Sequence, residues 1–148
     1  MALRMKDFSV SVQINATPER VWAVMRDVER WHEWTPTITS VQWLNGGPLR
    51  VGARAKVQQP RLPPAEWLVT AIDEGRGFDW ESRAPGLHVL ARHTISAGVA
   101  GTRVTLSIQY SGLLGGLVGR LTASINKRYI ALEADGLKRR AEANPDQA

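Results

Sequence analysis

The sequence predicts an α+β fold in which one curved antiparallel sheet of seven strands wraps around a long C-terminal helix, with two short helices after the first strand. Three observations carry this. Apolar and polar residues alternate in one short segment before residue 15 and in six more between residues 38 and 111. Glycine- and proline-rich turns separate the last six, and such short connections require antiparallel neighbours. From Leu113 the pattern lengthens to a helical period and holds to about residue 143.

Taken in order, Phe8 to Ile14 places Phe8, Val10, Val12 and Ile14 on one face, as in a half-buried strand. In NATPERVWAVM, Thr17 is placed to cap a helix, Pro18 suits its first position and Glu19 charges its first turn favourably. Val21, Trp22 and Met25 follow at helical spacing. DVERWHEWTP predicts the second short helix, with Asp27 as its cap, stopping before Pro36. Strands are predicted near 38–44, 53–59, 65–73, 77–82, 87–97 and 102–111. Their turns fall at Gly46 to Pro48, Pro60 to Pro64, Glu74 and Gly75, Pro85 and Gly86, and Gly98 to Gly101. A sheet with one apolar face must cover it, and the C-terminal helix is the element large enough to do so. The space between sheet and helix is the natural place for a ligand.

A length of 148 residues suits one domain, expected to be ordered over about 8–142 with residues 143–148 frayed. The 43% hydrophobic and 22% charged residues are those of an ordinary globular chain. No cysteine is present, which excludes disulfides, thiolate zinc sites and a cysteine nucleophile. No apolar run reaches the roughly 18 residues of a membrane span, and MALRMKDFSV lacks a secretory apolar stretch. A cytoplasmic protein without integral membrane association is expected. The net charge of +5 comes mostly from 15 arginines, spread from Arg4 to Arg140. Outward Arg54, Lys56, Arg92 and Arg103 would make a basic sheet face, which leaves nucleic-acid or anionic-membrane binding as the least favoured reading; no nucleic-acid motif accompanies them and no nucleic-acid partner is expected.

Several stretches together resemble one known superfamily: NATPERVWAVMRDVERWHEWTP near the start, LNGGPLRVGARAKV in the first hairpin, EWLVTAIDEGRGFDW in the middle one, and HTISAGVAGTRVTLSIQYSG before the last helix. They are similar to the helix-grip, START-like proteins, and within these to the bacterial polyketide cyclase/dehydrase and lipid-transport family. The resemblance covers about residues 8 to 142. It implies a cavity for an apolar small molecule. Some members catalyse cyclisation or dehydration, some carry ligands and others serve as subunits, and no shared catalytic motif transfers.

Alternation sorts the candidate lining. Leu106, Ile108 and Tyr110 point inward with Val104 on the last strand, and Val89, Ala91 and His93 with Ile95 on the one before. Phe78 falls with Trp80, and Trp67 with Val69 and Ala71. At about 100° per residue, Leu114, Leu117, Leu121, Ile125 and Leu132 form a helical stripe expected to face the sheet, with Arg128 inside it. Trp31 and Trp34 are placed near one mouth. Core packing accounts for any one of these residues, and the cavity reading rests on the set. A smaller opposite stripe of Ile130, Ala134, Leu137 and Ala141 is expected to be a dimer surface or to lie under the short helices, leaving monomer and homodimer both open.

Three side chains are candidates for chemistry. His93 has an ordinary pKa suited to proton transfer, although a satisfied core histidine is the commoner role. The Arg128 guanidinium would hold a carboxylate or enolate oxygen, against the alternative of a snorkelling surface residue. Tyr110 would donate to a ligand carbonyl, against a tethered core hydroxyl. The three histidines lack metal-site spacing, and no Walker or dinucleotide pattern occurs, so no metal or cofactor is expected. Binding or carriage of a small hydrophobic molecule is favoured over a cyclase/dehydrase-type enzyme, because one inward histidine and no inward carboxylate stand out.

Overall fold

The computed structural model describes residues 6–143, so residues 144–148 of the tail expected to fray lie outside the described residues. Strand β1 (Lys6–Ile14) leads into α1 (Pro18–Arg26) and a 3-10 helical segment, Val28–Glu33. Six strands follow: β2 (Ser40–Trp43), β3 (Arg54–Gln58), β4 (Ala65–Asp73), β5 (Gly77–Ala84), β6 (Leu87–Gly98) and β7 (Gly101–Ser111). Two helices end the chain, α2 (Gly115–Leu121) and α3 (Ala123–Glu142). The strands form one antiparallel sheet in the order β1-β7-β6-β5-β4-β3-β2. This is the helix-grip arrangement: a meander from β2 to β7, closed at its far edge by β1, with α3 across the apolar face.

Local chemistry explains most element ends. The Thr17 hydroxyl accepts from the Arg20 amide at 3.2 Å, capping α1 with Pro18 in its first turn. Asp27 does not cap the 3-10 segment through its side chain; only its backbone carbonyl accepts, from Arg30 at 3.1 Å. The β5–β6 hairpin turns at Gly86, whose φ of +73° suits a residue without a Cβ.

Two inward assignments change. Pairing shifts between Val69 and Ala71, which step two residues while their partners Trp80 and Asp79 step one. This bulge turns Ala71 to the exposed side while Trp67 and Val69 stay buried. The second change is larger. The C-terminal helix breaks at Thr122, whose hydroxyl donates back to the Val118 carbonyl at 2.7 Å, a contact that bends helices. A stripe read through that break mixes two helix directions. Leu114, Leu117 and Leu121 are exposed, Ile125 is half-buried and Arg128 is exposed. The buried face of α3 is instead Asn126, Ile130, Ala134, Leu137 and Ala141, packed against β1, β7 and α1. The small apolar set, for which a dimer surface and cover by the short helices were both open, is thus the core face of the helix, lying against β1, β7 and the short helix α1.

Small residues let α3 come close. A Cβ on Gly136 would sit 2.1 Å from the Trp34 carbonyl oxygen and 3.0 Å from its Cε3. Gly→Ala inside a helix ordinarily stabilises by about 1 kcal/mol. Here the backbone collision reverses the sign, and Gly136→Ala is expected to destabilise by about 1–3 kcal/mol. A thermal melt checks this; an unchanged or raised Tm would show that the contact yields freely.

Candidate functional site

Between the apolar sheet face and α3 lies a cavity of about 460 Å³. Its sheet wall is Trp67 of β4, Trp80 of β5, Val89, Ala91 and His93 of β6, and Ile108 and Tyr110 of β7. Its helix wall is Val118 of α2, then Thr122, Asn126, Tyr129, Ile130 and Glu133. Trp31, expected near a mouth, is instead buried and with Ile38 closes the end beside the 3-10 segment. The rim is formed by Leu62, Pro63 and Pro64 of the β3–β4 loop and by Arg83, Ala84 and Leu87 of the β5–β6 hairpin. Pro63, Pro64, Arg83 and Ala84 are exposed, so the cavity opens there.

The closed end is aromatic. Trp31 stands 5.5 Å from Trp80 and 5.4 Å from His93 between ring centroids, and Trp67 stands 5.6 Å from Trp80. The Trp31 indole N–H donates to the Met25 carbonyl at 2.9 Å, which satisfies its polar atom and orients its apolar face.

Against this apolar wall stand a few polar groups with defined roles. His93 Nδ1 donates to the Phe78 carbonyl at 3.1 Å, and its ring stacks on Phe78 at 4.3 Å. A carbonyl only accepts, so Nδ1 carries the proton and Nε2 of the neutral ring is an acceptor. Burial holds the His93 pKa down, to about 4. Glu133 is the reverse case. Desolvation pushes its carboxyl up to about 7, opposed by the Thr37 hydroxyl, which donates to Oε1 at 3.1 Å. Thr35 Oγ1 lies 3.0 Å from Thr37 Oγ1 and donates to it, since the Thr37 proton is already committed.

Tyr110 is tethered. Its hydroxyl donates to Asn126 Oδ1 at 3.1 Å, and Asn126 Nδ2 donates to Thr122 Oγ1 at 2.9 Å. This chain ends on the Val118 carbonyl and so ties β7 to the break between α2 and α3. Tyr129 donates to the Pro60 carbonyl and holds the β3–β4 loop against α3.

Of the residues expected from sequence, Trp31, Trp67, Trp80, Val89, Ala91, Ile108, His93 and Tyr110 come together on the cavity wall. Phe78 and Leu106 are buried outside that lining, Phe78 as the support of His93. Trp34 packs on Trp31 at 5.6 Å, beside Gly136, and does not line the cavity. Leu114, Leu117, Leu121, Ile125 and Arg128 lie outside it for the reason given by the break at Thr122. Glu133 and Asn126 were missed. The sequence signal was present: counting back three or four residues from Leu137, Ala134 and Ile130 gives both. Their polarity hid them behind the larger leucines. Among the described residues no group of three or more His, Asp or Glu side chains is placed to hold a metal ion.

A family model described as polyketide cyclase / dehydrase and lipid transport matches residues 5–142. No curated protein matches the sequence. Among solved structures, Ara h 8.0201 is similar with a TM-score of 0.76 at 15% identity, covering 95% of this chain and 100% of that one. A Thalictrum norcoclaurine synthase mutant is similar with a TM-score of 0.74 at 10% identity, covering 95% and 96%. The di-domain ARO/CYC protein BexL gives 0.72 at 16% identity, covering 95% of this chain and 51% of that one. Identities this low establish a shared fold.

Proposed function

This chain belongs to the polyketide cyclase/dehydrase and lipid-transport family, and from that premise we propose that it binds one small hydrophobic molecule, aromatic, polyketide-like or lipid-like, as a carrier or binding protein. The observation that supports this most is the cavity itself, large enough for a drug-sized ligand and walled at its closed end by three tryptophans. Ala91 lies on the sheet wall, so Ala91→Trp places an indole inside the cavity. Thermal-shift screening with fatty acids, flavonoids and aromatic polyketides is expected to find stabilising ligands for the parent protein and none for Ala91→Trp. Equal shifts in both proteins would put the ligand elsewhere and overturn the reading.

A second reading, a cyclase-type enzyme using the same cavity, is favoured by one observation. Glu133 and His93 share the cavity wall with proton affinities pushed apart from their usual order. A protonated Glu133 would donate to a ligand carbonyl while His93 Nε2 accepts a proton from carbon, the two transfers that an enolisation requires. Turnover lost in Glu133→Gln with binding retained would support this reading over simple carriage.

A further inference from the structure

We propose that α2 docks this protein on an anionic lipid surface, with the cavity mouth turned toward the bilayer. Leu113, Leu117 and Leu121, spaced four residues apart, are 75%, 53% and 75% exposed, and Leu114 between them is 46% exposed. Four large apolar side chains within nine residues are costly to leave in water. Leu113 and Leu114 lead into α2 and Leu117 and Leu121 stand on it; its sequence, GGLVGRL, has three glycines and gains little from its own propensity.

Charge identifies the partner. Residues 82–132 contain Arg83, Arg92, Arg103, Arg120, Lys127 and Arg128 and no Asp or Glu, whereas the rest of the chain carries one more acid than base. The whole positive excess of the molecule therefore belongs to this segment. Arg120, Lys127 and Arg128, on α2 and the first half of α3, are exposed and make no ion pair among the described residues. Arg61 is also exposed without an ion pair, on the loop whose next residues line the mouth.

Position completes the case. The Leu114 amide donates to the Gly86 carbonyl at 2.8 Å, seating the start of α2 on the hairpin that forms the rim. Val118, between the exposed leucines, lines the cavity. Apolar side chains entering the acyl boundary and cations on anionic headgroups act as two weak anchors, which together hold a protein reversibly at a membrane. A ligand leaving the bilayer would then meet the mouth directly. This goes beyond ligand binding and does not depend on it.

The test is co-sedimentation of the full chain with phosphatidylcholine vesicles, with and without phosphatidylglycerol. Binding is expected only to the phosphatidylglycerol vesicles and is expected to be lost at high salt. Leu117→Glu with Leu121→Glu, and separately Arg120→Glu with Arg128→Glu, are each expected to weaken binding by roughly tenfold or more. Both variants should keep the parent Tm and ligand-induced shift, because none of the four residues lines the cavity. Equal binding to vesicles without phosphatidylglycerol, or unchanged binding by both variants, overturns the proposal. So does a dimer in sedimentation that the leucine variant splits, since a second copy would then cover the patch. Vesicle binding without any ligand shift would leave this proposal standing and remove the ligand reading instead.

Discussion

Replacing Trp31 by Ala lowers the unfolding free energy by about 3–5 kcal/mol, the range for deleting a buried indole. Trp31 is only 3% exposed. Its ring meets Trp34, Phe78, Trp80 and His93 at centroid distances of 5.6, 6.1, 5.5 and 5.4 Å. It therefore joins the 3-10 segment to β5 and β6 while walling one end of the cavity. Its N–H also satisfies the Met25 carbonyl, which the substitution leaves without that donor. Trp31→Phe separates the two contributions: it keeps an aromatic ring and is expected to lose about 1–2 kcal/mol. Urea unfolding of the three proteins decides the matter. A loss under 1 kcal/mol for Trp31→Ala would mean that the surrounding rings collapse into the space, contrary to a wall held open for a ligand.

Glu133→Gln is expected to change how stability depends on pH, and to raise stability above pH 7 by about 2 kcal/mol, less than the full linkage value because the cavity opens to water. The folded carboxyl loses its proton at about 7, against an ordinary value of 4.5. Between those pH values the folded state holds a proton that the unfolded chain has released. Stability due to Glu133 therefore falls as pH rises through this window. His93 acts in the opposite sense. Its folded pKa is about 4 against an ordinary 6.5, so here the unfolded chain holds the extra proton and stability rises with pH across that window. In the parent protein the two slopes oppose each other where the windows overlap. Glu133→Gln should leave a rise toward pH 6.5 followed by a plateau. His93→Phe should leave a fall from about 4.5 to 7. Other titrating groups stay in both variants, so differences from the parent isolate each residue. Urea midpoints across pH give the slopes, and curves parallel to the parent in both variants would rule out the shifted proton affinities of Glu133 and His93.

The strands show how far a one-dimensional pattern reaches. A strand exposes its side chains to two faces in strict turn, so β6 and β7 could be sorted into inward Val89, Ala91, His93, Ile108 and Tyr110 without any tertiary knowledge. Turn chemistry separated the strands equally well, and the Thr17 cap with Pro18 marked α1. The same rule failed at one bulge, where a single extra residue sent Ala71 outward.

Sequence by itself thus determined the element order, the antiparallel meander and the sheet side of the cavity, because those follow from local periodicity and turn residues. Tertiary structure alone decided the helix side. A helix offers several faces, and which one is buried depends on its direction after the Thr122 break and on how closely neighbours approach. Close approach favoured the small-residue face of Ala134, Gly136 and Ala141 over the larger leucines. That choice brought Glu133 and Asn126 to the cavity and left Leu117, Leu121 and Arg128 at the surface. Desolvation at the cavity wall, not residue type, then shifted the proton affinity of the carboxyl, and desolvation is a property of the folded chain alone.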